Sequence, residues 1–74
     1  MFIMKLIGDN LRKLRKSFGL TQKEFGEKTR TSRETINRIE NNKLNPTTEL
    51  IYQICHCMDV EVGRVLSEPK EKRR

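Results

Sequence analysis

The sequence predicts an all-α domain, a compact bundle of five helices. Three observations carry this. Seventy-four residues make one small domain, which buries a modest fraction of its surface. Strand signals are nearly absent, with aromatic residues at 5% and no long alternating run. Apolar residues recur instead at spacings of three and four, and capping or stopping residues punctuate the periodic stretches.

The first helix is expected from about Ile7 to Ser17. Ile7, Leu11, Leu14 and Phe18 draw one apolar stripe, and Arg12, Lys13 and Lys16 take the other side. Gly19 then stops the helix, because glycine accepts the left-handed conformation of a C-cap. Residues 1–6 are expected to be an N-terminal lead-in that covers part of the core, with a partner contact as the alternative. The opening MFIMKLI is far too short to span a bilayer and lacks the remainder of a signal peptide.

The second helix starts at Thr21, which forms a capping box with Glu24. Phe25 enters the core. Gly26 falls mid-helix, where glycine costs about 0.8–1.0 kcal/mol relative to alanine; close approach of the next helix is a reason to tolerate it. Thr29-Arg30-Thr31 makes the turn, and Ser32 is the N-cap of the third helix. With Ile36 set at zero and steps of about 100°, Ile36 and Ile39 define a buried face. The opposite face holds Glu34, Asn37, Arg38 and Asn41, with Arg33 at its edge. Such a face can present long donors and a carboxylate to the DNA major groove, where each base pair shows a distinct donor and acceptor pattern. Glu34 and Arg38 are also an i,i+4 pair in the favourable order, so a solvated salt-bridged surface is the plain alternative.

Residues 41–45 form a loop. Asn45-Pro46 reads as an N-cap followed by proline at the first helical position. The fourth helix runs to about Met58 with Leu50, Ile51, Ile54, Cys55 and Met58 inward. A short fifth helix, roughly Glu61 to Leu66, places Val62, Val65 and Leu66 against the rest. Residues 67–74, SEPKEKRR, have no apolar content and are expected to be a disordered basic tail.

The formal charge is +6, and its distribution is informative. Residues 1–44 hold eleven Lys or Arg against five Asp or Glu, whereas residues 45–74 hold five against five. The basic excess therefore lies in the half with the helix pair, as a polyanion partner requires. Cys55, His56 and Cys57 suggest a metal site, but residues two apart on a helix point about 200° apart and cannot close on one ion. The same geometry forbids a disulfide between them. No metal or cofactor is expected, and reduced thiols suit a cytoplasmic protein. One histidine, no nucleophile and base in recognisable spacing, and too little chain for an enclosed pocket argue against an enzyme.

Ile7 to Leu66 resembles the Cro/C1-repressor type of helix-turn-helix domain. The resemblance rests on R-x-x-R at Arg12 and Arg15, G-L-T-Q from Gly19 to Gln22, and S-R-E-T-I-N-R-I-E-N-N-K from Ser32 to Lys43. It extends through Pro46, I-x-x-I-C from Ile51 to Cys55, and M-D-V-x-V-x-x-V-L from Met58 to Leu66. It implies a lambda-repressor-like five-helix fold over residues 7–66 and a role in binding double-stranded DNA. It further implies that Arg33, Glu34, Asn37 and Arg38 meet base edges. Gln22, with Thr21, Ser32 and Arg12, would contact phosphates, as would Asn41, Asn42 and Lys43 beyond the third helix. Arg15 and Glu40 would form a structural ion pair at the rim of the core. Three residues depart from the family pattern. Gly26 stands for an alanine. Arg30 stands for a glycine, so it must accept a left-handed backbone or belong to a different turn. Asp59 stands for another glycine.

The expectation is thus a sequence-specific DNA-binding transcriptional regulator, repressor-like and located in the cytoplasm on the nucleoid. It would act as a homodimer on a palindromic operator, with dimer contacts from the fifth helix and its flanks or from the lead-in. The alternatives are an antitoxin-type autoregulator that also binds a toxin-like protein, and a helical protein-interaction module without DNA binding.

Overall fold

The computed structural model describes the backbone of residues 2–67 and the side chains of residues 6–67. Five helices follow one another: α1 (Phe2–Ser17), α2 (Gln22–Thr29), α3 (Arg33–Glu40), α4 (Thr48–Met58) and α5 (Val62–Leu66). No strand occurs among the described residues, so the all-α expectation holds. The expected disordered stretch lies, beyond Ser67, outside the described residues.

One core holds the helices together. Ile7, Leu11 and Leu14 from α1 meet Phe25 from α2, Ile36 and Ile39 from α3, Ile51, Ile54, Cys55 and Met58 from α4, and Val65 from α5. Burial pushes the Cys55 thiol above its usual range, because a thiolate would lose its hydration there. Cys57 is half-buried and His56 exposed, on other faces of α4.

Helices α1 to α4 all end in the same way. In each, an amide two or three residues beyond the helix reaches back to close the ladder, and the residue before it is left-handed. These residues are Gly19 (φ 69°), Arg30 (φ 61°), Asn42 (φ 61°) and Asp59 (φ 59°). The closing bonds run from Leu20 N–H to the Arg15 carbonyl, Thr31 to Gly26, Lys43 to Arg38 and Val60 to Cys55. Arg30 therefore accepts the left-handed backbone rather than moving into another kind of turn.

Several boundaries differ from the sequence expectation. Helix α1 begins at Phe2, so the expected lead-in is mostly helical backbone; FIMKLI contains no breaker and several good helix formers. Phe18 lies in the turn after α1 and is 46% exposed, so the buried stripe ends at Leu14. The cap of α4 is Thr47, whose hydroxyl oxygen accepts from Leu50 N–H, and not Asn45. Pro46 is buried ahead of the helix, because threonine one residue later supplies the acceptor that starts the ladder. Leu66 is 44% exposed, since the single turn of α5 buries only the side that carries Val65.

Two glycines mark close approaches. A Cβ on Gly8 would collide with the Ile39 carbonyl oxygen and stand 2.8 Å from Asn42 Oδ1, so α1 lies directly against the end of α3. A Cβ on Gly26 would stand 2.5 Å from the Thr31 carbonyl oxygen and 3.3 Å from Arg33 N. The neighbour that needs Gly26 is therefore the backbone of the turn and the first residue of α3.

Candidate nucleic-acid interface

The helix pair is built from local caps outward. Thr21 Oγ1 accepts from Glu24 N–H at 3.1 Å, and Glu24 Oε1 accepts from Thr21 N–H at 2.9 Å, which closes the expected capping box. At the other end of α2, buried Thr29 donates its hydroxyl to the Phe25 carbonyl at 2.8 Å. Ser32 Oγ then accepts from Thr35 N–H at 3.0 Å and starts α3. From α4, Gln53 Nε2 donates to the carbonyls of Thr29 (2.8 Å) and Arg30 (3.2 Å), pinning the turn.

Helix α3 divides cleanly. Ile36, Ile39 and Glu40 are buried, while Arg33, Glu34, Asn37 and Arg38 are exposed. Among the described residues, no hydrogen bond or ion pair engages the side chains of Arg33, Glu34 or Arg38. The i,i+4 contact that the plain alternative would have between Glu34 and Arg38 is thus not made, as suits an exposed pair whose net gain is only a few tenths of a kcal/mol. An open cleft of about 910 Å³ runs beside the start of α2 and this face, lined by Arg15, Thr21, Gln22, Lys23, Arg33, Glu34 and Asn37.

Glu40 is the hub beneath the face. Its side chain is 0% exposed, and that of Arg15 is 13% exposed. Arg15 grips it with two bonds, Nε to Oε2 at 2.8 Å and Nη2 to Oε1 at 3.0 Å, and donates Nη1 to the Leu20 carbonyl at 2.9 Å. Two parallel bonds to a carboxylate are the strong form of this contact. The pair lies deeper than the rim position read from the sequence, because Gly8 lets α1 sink onto the end of α3. Gln22 Nε2 also donates to Glu40 Oε1 at 3.1 Å, and Gln22 Oε1 accepts from Asn37 Nδ2 at 3.1 Å.

The expected phosphate-facing residues separate into two groups. Thr21 and Ser32 are exposed but cap α2 and α3, and Asn41 and Lys43 are exposed just beyond α3. Gln22 is half-buried and bonded within the protein. Arg12 leans onto the end of α3, with Nη2 3.4 Å from the Glu40 carbonyl oxygen and Nε 3.7 Å from its carboxylate. A cation is favourable there, at the negative end of the helix dipole. Asn42 is half-buried in its left-handed position, and its Oδ1 is buried without a hydrogen-bond partner.

Three positioning residues escaped the sequence reading. Gly8 carried a signal, a glycine inside an apolar-periodic stretch. Gln53 and Asn10 carried none. Asn10 Nδ2 donates to the carbonyls of Val65 (2.5 Å) and Ser67 (2.9 Å) and ties α1 to the end of α5.

The helix-turn-helix family pattern matches residues 11–65. The chain belongs to that family. It is 38% identical over 65 residues to the antitoxin PezA of Streptococcus pneumoniae, and 30% identical over 70 residues to the transcriptional regulator ClgR of Mycobacterium tuberculosis. These alignments cover 88% and 95% of this chain, but only 41% of PezA and 62% of ClgR. The crystal structure of ClgR from Corynebacterium glutamicum superposes with a TM-score of 0.79 at 28% identity, over 86% of this chain and 83% of that one. A hypothetical transcription factor from Neisseria, 19% identical, shares the fold at a TM-score of 0.84, over 90% and 77% of the two chains. The family is one of transcription regulators and not of enzymes. No helix among the described residues is long and apolar enough to cross a membrane.

Proposed function

We propose that this helix-turn-helix domain reads specific DNA sequences as a transcriptional regulator, with α3 laid in the major groove. The observation that carries this is the division of α3. One face is locked into the core through Ile36, Ile39 and Glu40, and the other offers Arg33, Glu34 and Arg38 with their polar heads unengaged. Arginine can bridge the two acceptors of a guanine edge, and Glu34 can accept from a cytosine amino group. Asn41 and Lys43 meet the backbone beyond α3. On the other flank, the amides opening α2 have no partner inside the helix, so Gln22 N–H and Lys23 N–H suit a phosphate. The protein acts as a two-fold dimer on half-sites about one helical turn apart. Gel shifts on a random DNA pool across a salt series test the reading. Enrichment of a palindrome with a steep salt dependence is expected, and binding that ignores sequence at every salt concentration would sink it.

A second reading is favoured by the 38% identity to the antitoxin PezA. In it the domain also holds a partner protein and represses its own synthesis. A second small protein that co-purifies in fixed ratio supports this, and a chain that runs alone from its native host counts against it.

A further inference from the structure

A run of hydrogen bonds leads outward from the buried carboxylate of Glu40 to the exposed amide of Asn37, and its direction is set at the buried end. A carboxylate only accepts. Gln22 must therefore turn its nitrogen inward, and its Nε2 donates to Glu40 Oε1. Its carbonyl is then left facing α3, where it accepts from Asn37 Nδ2. Reversing Gln22 would set carbonyl against carboxylate. Reversing Asn37 would set carbonyl against carbonyl. The bidentate grip of Arg15 holds the carboxylate in place, so the whole relay has a fixed origin.

Resting on the reading of α3 as a major-groove helix, we propose that Gln22 is a positioning residue that fixes the polarity of the Asn37 amide and makes Asn37 a selector of adenine. One Nδ2 hydrogen is committed to Gln22, which leaves Oδ1 and the second hydrogen. Adenine presents a donor at N6 and an acceptor at N7, which match that pair. Guanine presents two acceptors, O6 and N7, so a fixed Oδ1 would face an acceptor. An unanchored asparagine escapes this conflict by rotating its nitrogen outward, and it then tolerates guanine. The discrimination between the two purines thus comes from the second helix, through a residue that need not touch the base.

Gln22→Met tests this, because it keeps the length of the side chain and removes both the carbonyl and the amino end of its amide. Asn37→Ala first identifies the base pair concerned, as the one whose preference disappears. At that pair the native protein is expected to favour adenine over guanine by about tenfold or more, in keeping with one good bidentate contact. Gln22→Met should reduce the ratio to about twofold or less and leave other positions unchanged. Equal weakening on all sequences, or an intact adenine preference, overturns the proposal. Nuclear magnetic resonance of the protein without DNA decides the relay separately. The native Asn37 side-chain amide protons should show through-space contacts to Gln22, and their resonances should shift in Gln22→Met. The absence of such contacts in the native protein overturns the relay even if the variant does not fold. A native protein that shows the contacts but selects no sequence overturns the DNA reading and the adenine assignment, while the relay itself stands.

Discussion

Glu40→Gln keeps the shape of the hub and removes its charge. The cost follows from burial. The Glu40 side chain is fully enclosed and that of Arg15 nearly so, so the substitution strands a guanidinium that has little access to water. Removing one partner of a buried pair costs about 3–5 kcal/mol, against under about 1 kcal/mol for an exposed pair. Two features place this case near the lower end of the buried range. Glutamine still offers one acceptor to Arg15, and Arg15 keeps its bond to the Leu20 carbonyl. A loss of about 3 kcal/mol is expected. Domains are stable by roughly 0.05–0.15 kcal/mol per residue, so this removes a large part of the total. Urea unfolding followed by circular dichroism measures it as a lowered midpoint. DNA affinity should fall further than the folded fraction alone explains, because Glu40 also ties α1 and α2 to the end of α3. A loss under about 1 kcal/mol with unchanged affinity would refute both the energetic role of the pair and its positioning role.

Arg33→Ala and Arg38→Ala should each cost about 1–3 kcal/mol on the best operator and relax preference at one or two positions. Lys43→Ala should instead weaken all sequences alike and flatten the salt slope by about one unit; competition gel shifts with specific and random DNA separate the two patterns. Gly26→Ala should lower the melting temperature, because overpacking against the Thr31 carbonyl costs about 1–3 kcal/mol and outweighs a propensity gain of about 0.8–1.0 kcal/mol. A raised melting temperature would show that the turn moves aside cheaply. Arg30→Gly should stabilise the fold by about 0.5–1 kcal/mol, since it relieves a left-handed arginine and leaves the carbonyl that Gln53 holds. Thermal unfolding reads this as an upward shift, and no shift would mean that the arginine carries no strain.

The parts of the fold legible in the sequence are those that repeat. The spacing of Ile7, Leu11 and Leu14, and of Ile36 and Ile39, located the core faces, and Thr21 with Glu24 located the start of α2. Contacts made once between distant segments were less visible. Whether Gly26 faced a helix or a turn depended on a backbone approach that no local pattern encodes. Asn45 and Thr47 are both good cap residues on either side of Pro46, and nothing local decided that Thr47 would supply the acceptor for Leu50 N–H. Gln53 sits on the exposed face of α4 and looks like any solvated glutamine. On α3 the exposed set could be read from the helical wheel, but the link from Asn37 to Gln22 could not, because it depends on how closely α2 and α3 pack.

The clamp from Gln53 has a consequence for how binding would distribute its cost. The reading unit is tied to α4 at the turn through Gln53 and to α1 at the end of α3 through Glu40, and these ties oppose rearrangement of α2 and α3 on docking. A rigid head gains little by rearranging, and little ordering entropy is lost when it docks. On the proposed reading, any mismatch of shape then falls on the duplex. The DNA must twist or bend to bring two half-sites onto two stiff heads, and its base steps differ in how easily they yield. Operator strength would therefore depend on base pairs between the half-sites that no side chain reaches.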